Sequence, residues 1–103
     1  MMGKAAGVTT QTTSGSVFIG RSAGNAVTTG NQNIAIGKTA LGGAATTGDN
    51  NIAIGTNAAD ALTSGQLGVY IGKNAGGALT TAKENVVIGH TAFQSANSSE
   101  NFN

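Results

Sequence analysis

The sequence predicts an all-β chain: a parallel β-roll (a β-solenoid) of about five coils, each 17–18 residues long. Three observations predict it. An eight-residue phrase, NIAIGKTA at 33–40, returns as NIAIGTNA at 51–58 and, less closely, as SVFIGRSA (16–23), GVYIGKNA (68–75) and NVVIGHTA (85–92). The Gly of each "IG" falls at Gly20, Gly37, Gly55, Gly72 and Gly89, steps of 17, 18, 17 and 17 residues. Self-similarity at a short fixed period is the signature of a solenoid. Within the phrase, β-branched residues stand two apart, the period of a strand, and no i, i+3, i+4 helical pattern survives alignment of the copies. A leucine-rich repeat would need a longer period and far more Leu.

Composition explains why a repeat is needed. With 103 residues, 4% aromatics, 9% charged residues and Gly 17, the chain lacks the large side chains of a thick globular core. A mean hydropathy of +0.01 is nevertheless too apolar for a charge-rich disordered segment. Stability must therefore come from stacking coil on coil.

The elements follow in chain order. Residues 1–15 read as an N-terminal lead-in or cap, a degenerate half-coil with Val8-Thr9-Thr10 and Thr12-Thr13 out of register. The β-roll domain spans 16–96. Each coil opens on a short strand whose flanking residues form two columns: Val17, Ile34, Ile52, Val69, Val86 and Ile19, Ile36, Ile54, Ile71, Ile88. These are expected to face inward. Gly follows, where the backbone turns with positive φ or passes close to a neighbour. Three residues on stands Ala23, Ala40, Ala58, Ala75 or Ala92. A second segment then supplies Val27, Ala45, Leu62, Leu79 and Ala96 to the interior. The hydroxyl pairs Thr28-Thr29, Thr46-Thr47, Thr63-Ser64 and Thr80-Thr81 lead into the closing turn. The one 18-residue copy carries its extra residue within 41–45, a corner of small residues. Asn33, Asn51 and Asn85 form a structural ladder of stacked amides, interrupted by Gly68. Residues 97–103 are a polar C-terminal tail.

Three columns could act on something outside the chain. Phe18, Ala35, Ala53, Tyr70 and Val87, between the two expected inward columns, should point outward, and an outward apolar stripe implies a covering surface. They are the predicted oligomer interface, most simply of a parallel homo-oligomer about an axis along the stack. Directly after each Gly stand Arg21, Lys38, Thr56, Lys73 and His90. Of these, Arg21, Lys38, Lys73 and His90 form a candidate contact for a phosphate or an acidic glycan. The competing reading is a solvated edge that discourages lateral aggregation. The Thr pairs suggest an ice-binding grid, but adjacent strand residues face opposite ways, which leaves one outward hydroxyl per coil.

Chemistry is excluded more than suggested. There is one His, no Cys, and four acids, Asp49, Asp60, Glu84 and Glu100, none beside a recurring base or nucleophile. No metal site or cofactor is expected; a calcium-binding nonapeptide roll would need an Asp in every repeat, and IGKTA lacks the leading Gly of a phosphate loop. Net charge is +1, with no Lys/Arg cluster interleaved with aromatics, so nucleic acid is not an expected partner. No window approaches the roughly 18 apolar residues of a membrane span, and the N-terminus lacks the apolar core of a signal peptide.

At NIAIGKTALGGAATTGDNNIAIGTNA the chain resembles the head repeats of YadA-type trimeric autotransporter adhesins. It is still more similar to the longer version of that repeat in bacteriophage tail fibres. The resemblance covers 16 to about 96. It implies a left-handed roll, three chains side by side, and use in surface adhesion. The chain departs from those families in carrying neither a C-terminal membrane-anchor barrel and its stalk nor a self-cleaving chaperone domain. The absence of a signal peptide favours a virion protein over a secreted adhesin or cell-surface appendage. The expectation is thus a non-enzymatic, homotrimeric fibre module, possible host glycans as its other partner, with open ends that allow end-to-end filaments. The alternative is a stand-alone solenoid that binds ice or an acidic glycan.

Overall fold

β1 (Val17–Ile19), β2 (Ile34–Ile36), β3 (Ile52–Ile54), β4 (Val69–Ile71) and β5 (Val86–Ile88) stack in chain order into one five-stranded parallel sheet. The structure, a computed structural model, describes residues 2–7 and 13–94. The register is the one the repeat demands: Val17 pairs with Ile34, Ile34 with Ile52, Ile52 with Val69, and Val69 with Val86. The chain is a β-solenoid of about four turns. A shorter second wall faces the sheet, marked by the parallel bridge from Val27 to Thr46. Ala96, the segment 8–12 and the tail 97–103 lie outside the described residues.

The column of "IG" glycines makes the first corner possible. Gly20, Gly37, Gly55 and Gly72 have φ between 121° and 132°, and a Cβ at any of them would lie 2.9 Å or less from backbone atoms of the glycine in the next turn. Both the dihedral and the close approach exclude other residues.

The interior is the reverse of the expected one. Phe18, Ala35, Ala53, Tyr70 and Val87 point into the coil and are buried, whereas the Val and Ile columns on either side face out. The assignment of those five residues to an oligomer interface is therefore overturned: they are this chain's own core. Period 2 says which residues share a face but not which face is inside. Volume decides that. One strand residue per turn reaches an interior that also holds the buried Ala23, Ala40, Ala58 and Ala75 and, from the opposite wall, Val27, Leu62 and Leu79. Two β-branched side chains per strand would not fit beside them.

Side-chain sizes compensate within each turn. Phe18 faces Gly24 and Tyr70 faces Gly76, where an added Cβ would lie 2.5 Å from Phe18 Cε1 and 2.5 Å from Tyr70 Cδ1. Where the strand residue is small, the residue six positions on is larger: Leu41 after Ala35, Ala59 after Ala53, both buried. Leu41 and Ala59 hold this corner at φ 48° and 50°, a left-handed conformation that glycine adopts freely and they adopt at a cost.

The Asn ladder bridges turns through the backbone rather than amide to amide. Asn33 Nδ2 donates to the Gly48 carbonyl and Asn51 Nδ2 to that of Gly65, each at 2.9 Å. Asn33 Oδ1 accepts from the Asn51 N–H and Asn51 Oδ1 from the Gly68 N–H. Each fully buried amide thus satisfies a carbonyl and an N–H that the narrow turn would otherwise leave orphaned. At the interruption, the Tyr70 ring takes the space a side chain at 68 would fill, since a Cβ there would collide with its Cζ and hydroxyl.

Two further departures concern register. In the 18-residue turn Thr46, not Ala45, takes the inward position: Ala45 is exposed, and Thr46 is buried with its hydroxyl donating to the Leu62 carbonyl at 2.8 Å. At the N-terminus, Met2 pairs in parallel with Ile19, and the Ser22 and Gly7 N–H groups donate to the Lys4 and Ala23 carbonyls. Residues 2–7, MGKAAG, thus lie in register on 19–24, IGRSAG, as a further partial turn ahead of β1.

Candidate functional site

The outer surface of the sheet is two columns of β-branched aliphatics wide and five strands tall. Val17 and Ile19 are 43% and 37% exposed, Val86 and Ile88 55% and 64%, and the six Val and Ile residues of the middle strands are half-buried. Among the described residues no other segment packs over this face. Sequence reasoning found the columns and assigned them to the wrong side of the sheet, so the outward apolar residues are the very ones it placed in the core.

Beside this face, across the glycine corner, runs the basic column. Arg21, Lys38, Lys73 and His90 are exposed, Thr56 half-exposed, and the partial turn adds Lys4, which sequence reasoning missed. The register is held by backbone bonds: Ser22 N–H to Lys4 C=O, Thr39 to Arg21, Asn57 to Lys38, Asn74 to Thr56, and Thr91 to Lys73, all at 2.8–2.9 Å. Each side chain therefore stands one strand spacing, about 4.8 Å, above the last. Among the described residues Lys4, Arg21, Lys38, Lys73 and His90 have no acidic partner within ion-pair distance. The column runs across all the strands rather than along an edge strand. The outermost strands of this sheet are β1, which Met2 already bridges at Ile19, and β5, so a column that crosses every strand does not blunt an edge as lysines along an edge strand do.

The acids gather elsewhere. Asp49 and Glu84 stand at the opposite corner, before the strands, where Asp49 Oδ1 accepts from the Asn31 N–H at 2.6 Å. Asp60 sits where another turn has Asn25, and burial pushes its carboxyl above the ordinary range, offset in part by the N–H groups of Asp60 and Ala61. Among the described residues no three His, Cys, Asp or Glu side chains gather in a way that could hold a metal ion, and no helix is long and apolar enough to cross a membrane.

Each hydroxyl pair turns one member outward, as the alternation of strand residues implies. Thr28 and Thr63, the first members, donate to the Thr46 and Thr80 carbonyls of the next turn. The second members, Thr29, Thr47, Ser64 and Thr81, are exposed in single file.

Comparison of the chain with family models, with curated proteins and with solved structures finds no match.

Proposed function

We infer that the protein is a non-enzymatic structural and adhesive fibre module that assembles side by side into a parallel homotrimer through the outward Val and Ile face. The observation that carries this reading is the face itself: ten β-branched aliphatics in hydrogen-bonded register with no other described residue packed over them. A continuous apolar patch of this kind marks an interaction site. A second copy is the partner that fits it best, because parallel chains at equal height bring Ile row against Ile row at every turn, and rotation about an axis along the stack closes the assembly. The count of three, a left-handed coil, and a place on a phage tail fibre or other extracellular appendage follow from the likeness of the repeat to adhesin heads and tail fibres. End-to-end stacking through β5 extends the same logic along the axis.

Light scattering at several concentrations tests it. The expected mass is three chains, and Ile36→Lys with Ile54→Lys is expected to give a folded monomer, since both side chains leave the coil on its outer side. A wild-type monomer at high concentration, or a double variant that keeps the full mass, refutes the interface.

A further inference from the structure

The adhesive half of the reading above gains a ligand class from the basic column. Of the five Lys and Arg residues in the chain, four (Lys4, Arg21, Lys38 and Lys73) stand in this one file, joined by the single His, His90, while none of the three described acids, Asp49, Asp60 and Glu84, does. A net charge of +1 thus conceals a one-sided distribution. Like charges stacked at one strand spacing repel, and among the described residues no acid relieves them. Anti-aggregation on a sheet edge does not explain the file, because it crosses the strands.

A second column accompanies the first. The next residue in each turn is Ser22, Thr39, Asn57 or Asn74, each half-buried and each without a side-chain hydrogen bond among the described residues. Every turn from the first to the fourth therefore offers a hydroxyl or amide next to its cation, or next to Thr56 in the third turn. A cation beside a neutral hydrogen-bonding group in three of these four turns, and two neutral groups in the other, suits a polymer with one carboxylate and several hydroxyls per step.

We propose that this double column binds a linear acidic polysaccharide laid along the stack axis, one uronate per turn. The spacing selects it: a pyranose repeat, on the order of 5 Å, matches the coil rise of about 4.8 Å. Phosphates along one strand of duplex DNA repeat at about 3.4 Å, out of step with the turns. Single-stranded nucleic acid is held by successive aromatic platforms, whereas Phe18 and Tyr70 are buried and, among the described residues, Phe93 at the last described turn is the one exposed Phe or Tyr. Binding requires only one chain, so the inference rests on the adhesive reading and not on the trimer.

The test is fluorescence anisotropy with labelled oligogalacturonates of increasing length on the full chain, with light scattering of the same samples. Affinity is expected to rise with length and level off once the oligomer spans the column. Lys38→Ala with Lys73→Ala is expected to weaken the long oligomer at least about tenfold, while Lys83→Ala, off the column, leaves it unchanged. With four ionic contacts, raising salt from about 50 mM to about 200 mM should cost on the order of 50-fold, by analogy with counterion release from single strands. The proposal is overturned by affinity that does not depend on length, by equal losses in the two variants, or by tighter binding of a labelled oligodeoxynucleotide. It is also overturned if the Lys38/Lys73 variant loses assembly, which would make the column a contact between chains. A monomer that still binds with the expected length dependence would sink the trimer and leave this inference standing.

Discussion

Exchanging the sizes of Phe18 and the residue opposite it tests the interior most directly. Gly24 has φ +59°, and a Cβ there would lie 2.5 Å from Phe18 Cε1 and 2.6 Å from Cγ. Gly24→Leu in the wild-type background therefore incurs left-handed strain of about 1–2 kcal/mol. Overpacking against a ring that has nowhere to move adds about 1–3 kcal/mol or more. Phe18→Ala alone empties the first turn, at about 3–5 kcal/mol. Added independently, these come to roughly 5–10 kcal/mol, enough to unfold most domains of this size. Together, however, they recreate the pair that the second turn already uses, Ala35 with Leu41, and Leu41 tolerates φ 48°. The double variant is expected to fold, with a coupling energy of at least about 2 kcal/mol in its favour. Urea denaturation at one fixed protein concentration measures this, because association would otherwise shift the apparent stability. Additivity to within about 0.5 kcal/mol would refute the size compensation, and with it the inward placement of Phe18.

Two further outcomes follow from single side chains. The Tyr70 hydroxyl is buried; the Asn85 amide is near enough to offset part of the upward push that burial gives the phenol, yet no partner meets it with hydrogen-bond geometry. Tyr70→Phe should therefore be neutral or stabilising by about 1 kcal/mol. Because the folded phenol titrates above its unfolded value of 10.0, ionisation favours the unfolded chain as pH rises through that value, so wild-type stability should fall there and the Phe variant should lose that component. Thermal melts across the alkaline range check both, and an unchanged alkaline limb in Tyr70→Phe would contradict the assignment. Leu67 is 53% exposed and held at φ 59°, in the column where another turn has Asn50 at φ 60°. Leu67→Asn should raise stability by about 0.5–1 kcal/mol, read as a higher urea midpoint, and a lower midpoint would count against it.

The period, the strands, the glycine corner and the basic file were legible in one reading of the chain, because each depends on residues at a fixed spacing. So was the column of Asn33 and Asn51 as a structural ladder, though not that these amides are buried and bond to backbone groups rather than to one another. Even the extra turn at 2–7 was written in MGKAAG, which matches IGRSAG; reading 1–15 as out of register missed it by weighing Val8 and the threonines more than Gly3. Thr46 displaced Ala45 because an insertion sets the register of a wall only through the bonds that wall makes.

Which side of the sheet faces inward could not be read this way. Alternation determines that Phe18 opposes Val17 and Ile19, but it is symmetric under exchange of the faces. The sign is set by how much volume the closed coil can hold, a sum over the strand residue, the Ala column, the residue six positions on and the opposite wall. Gly24 under Phe18, Gly76 and Gly68 around Tyr70, and Leu41 beside Ala35 show large and small residues offsetting one another within that sum. By itself, then, the sequence determined a stack of like turns and what each turn repeats. Only the tertiary structure decided that the small and compensated residues form the core and the Val and Ile rows the outer surface, because packing volume is a property of the closed turn and not of any spacing along the chain.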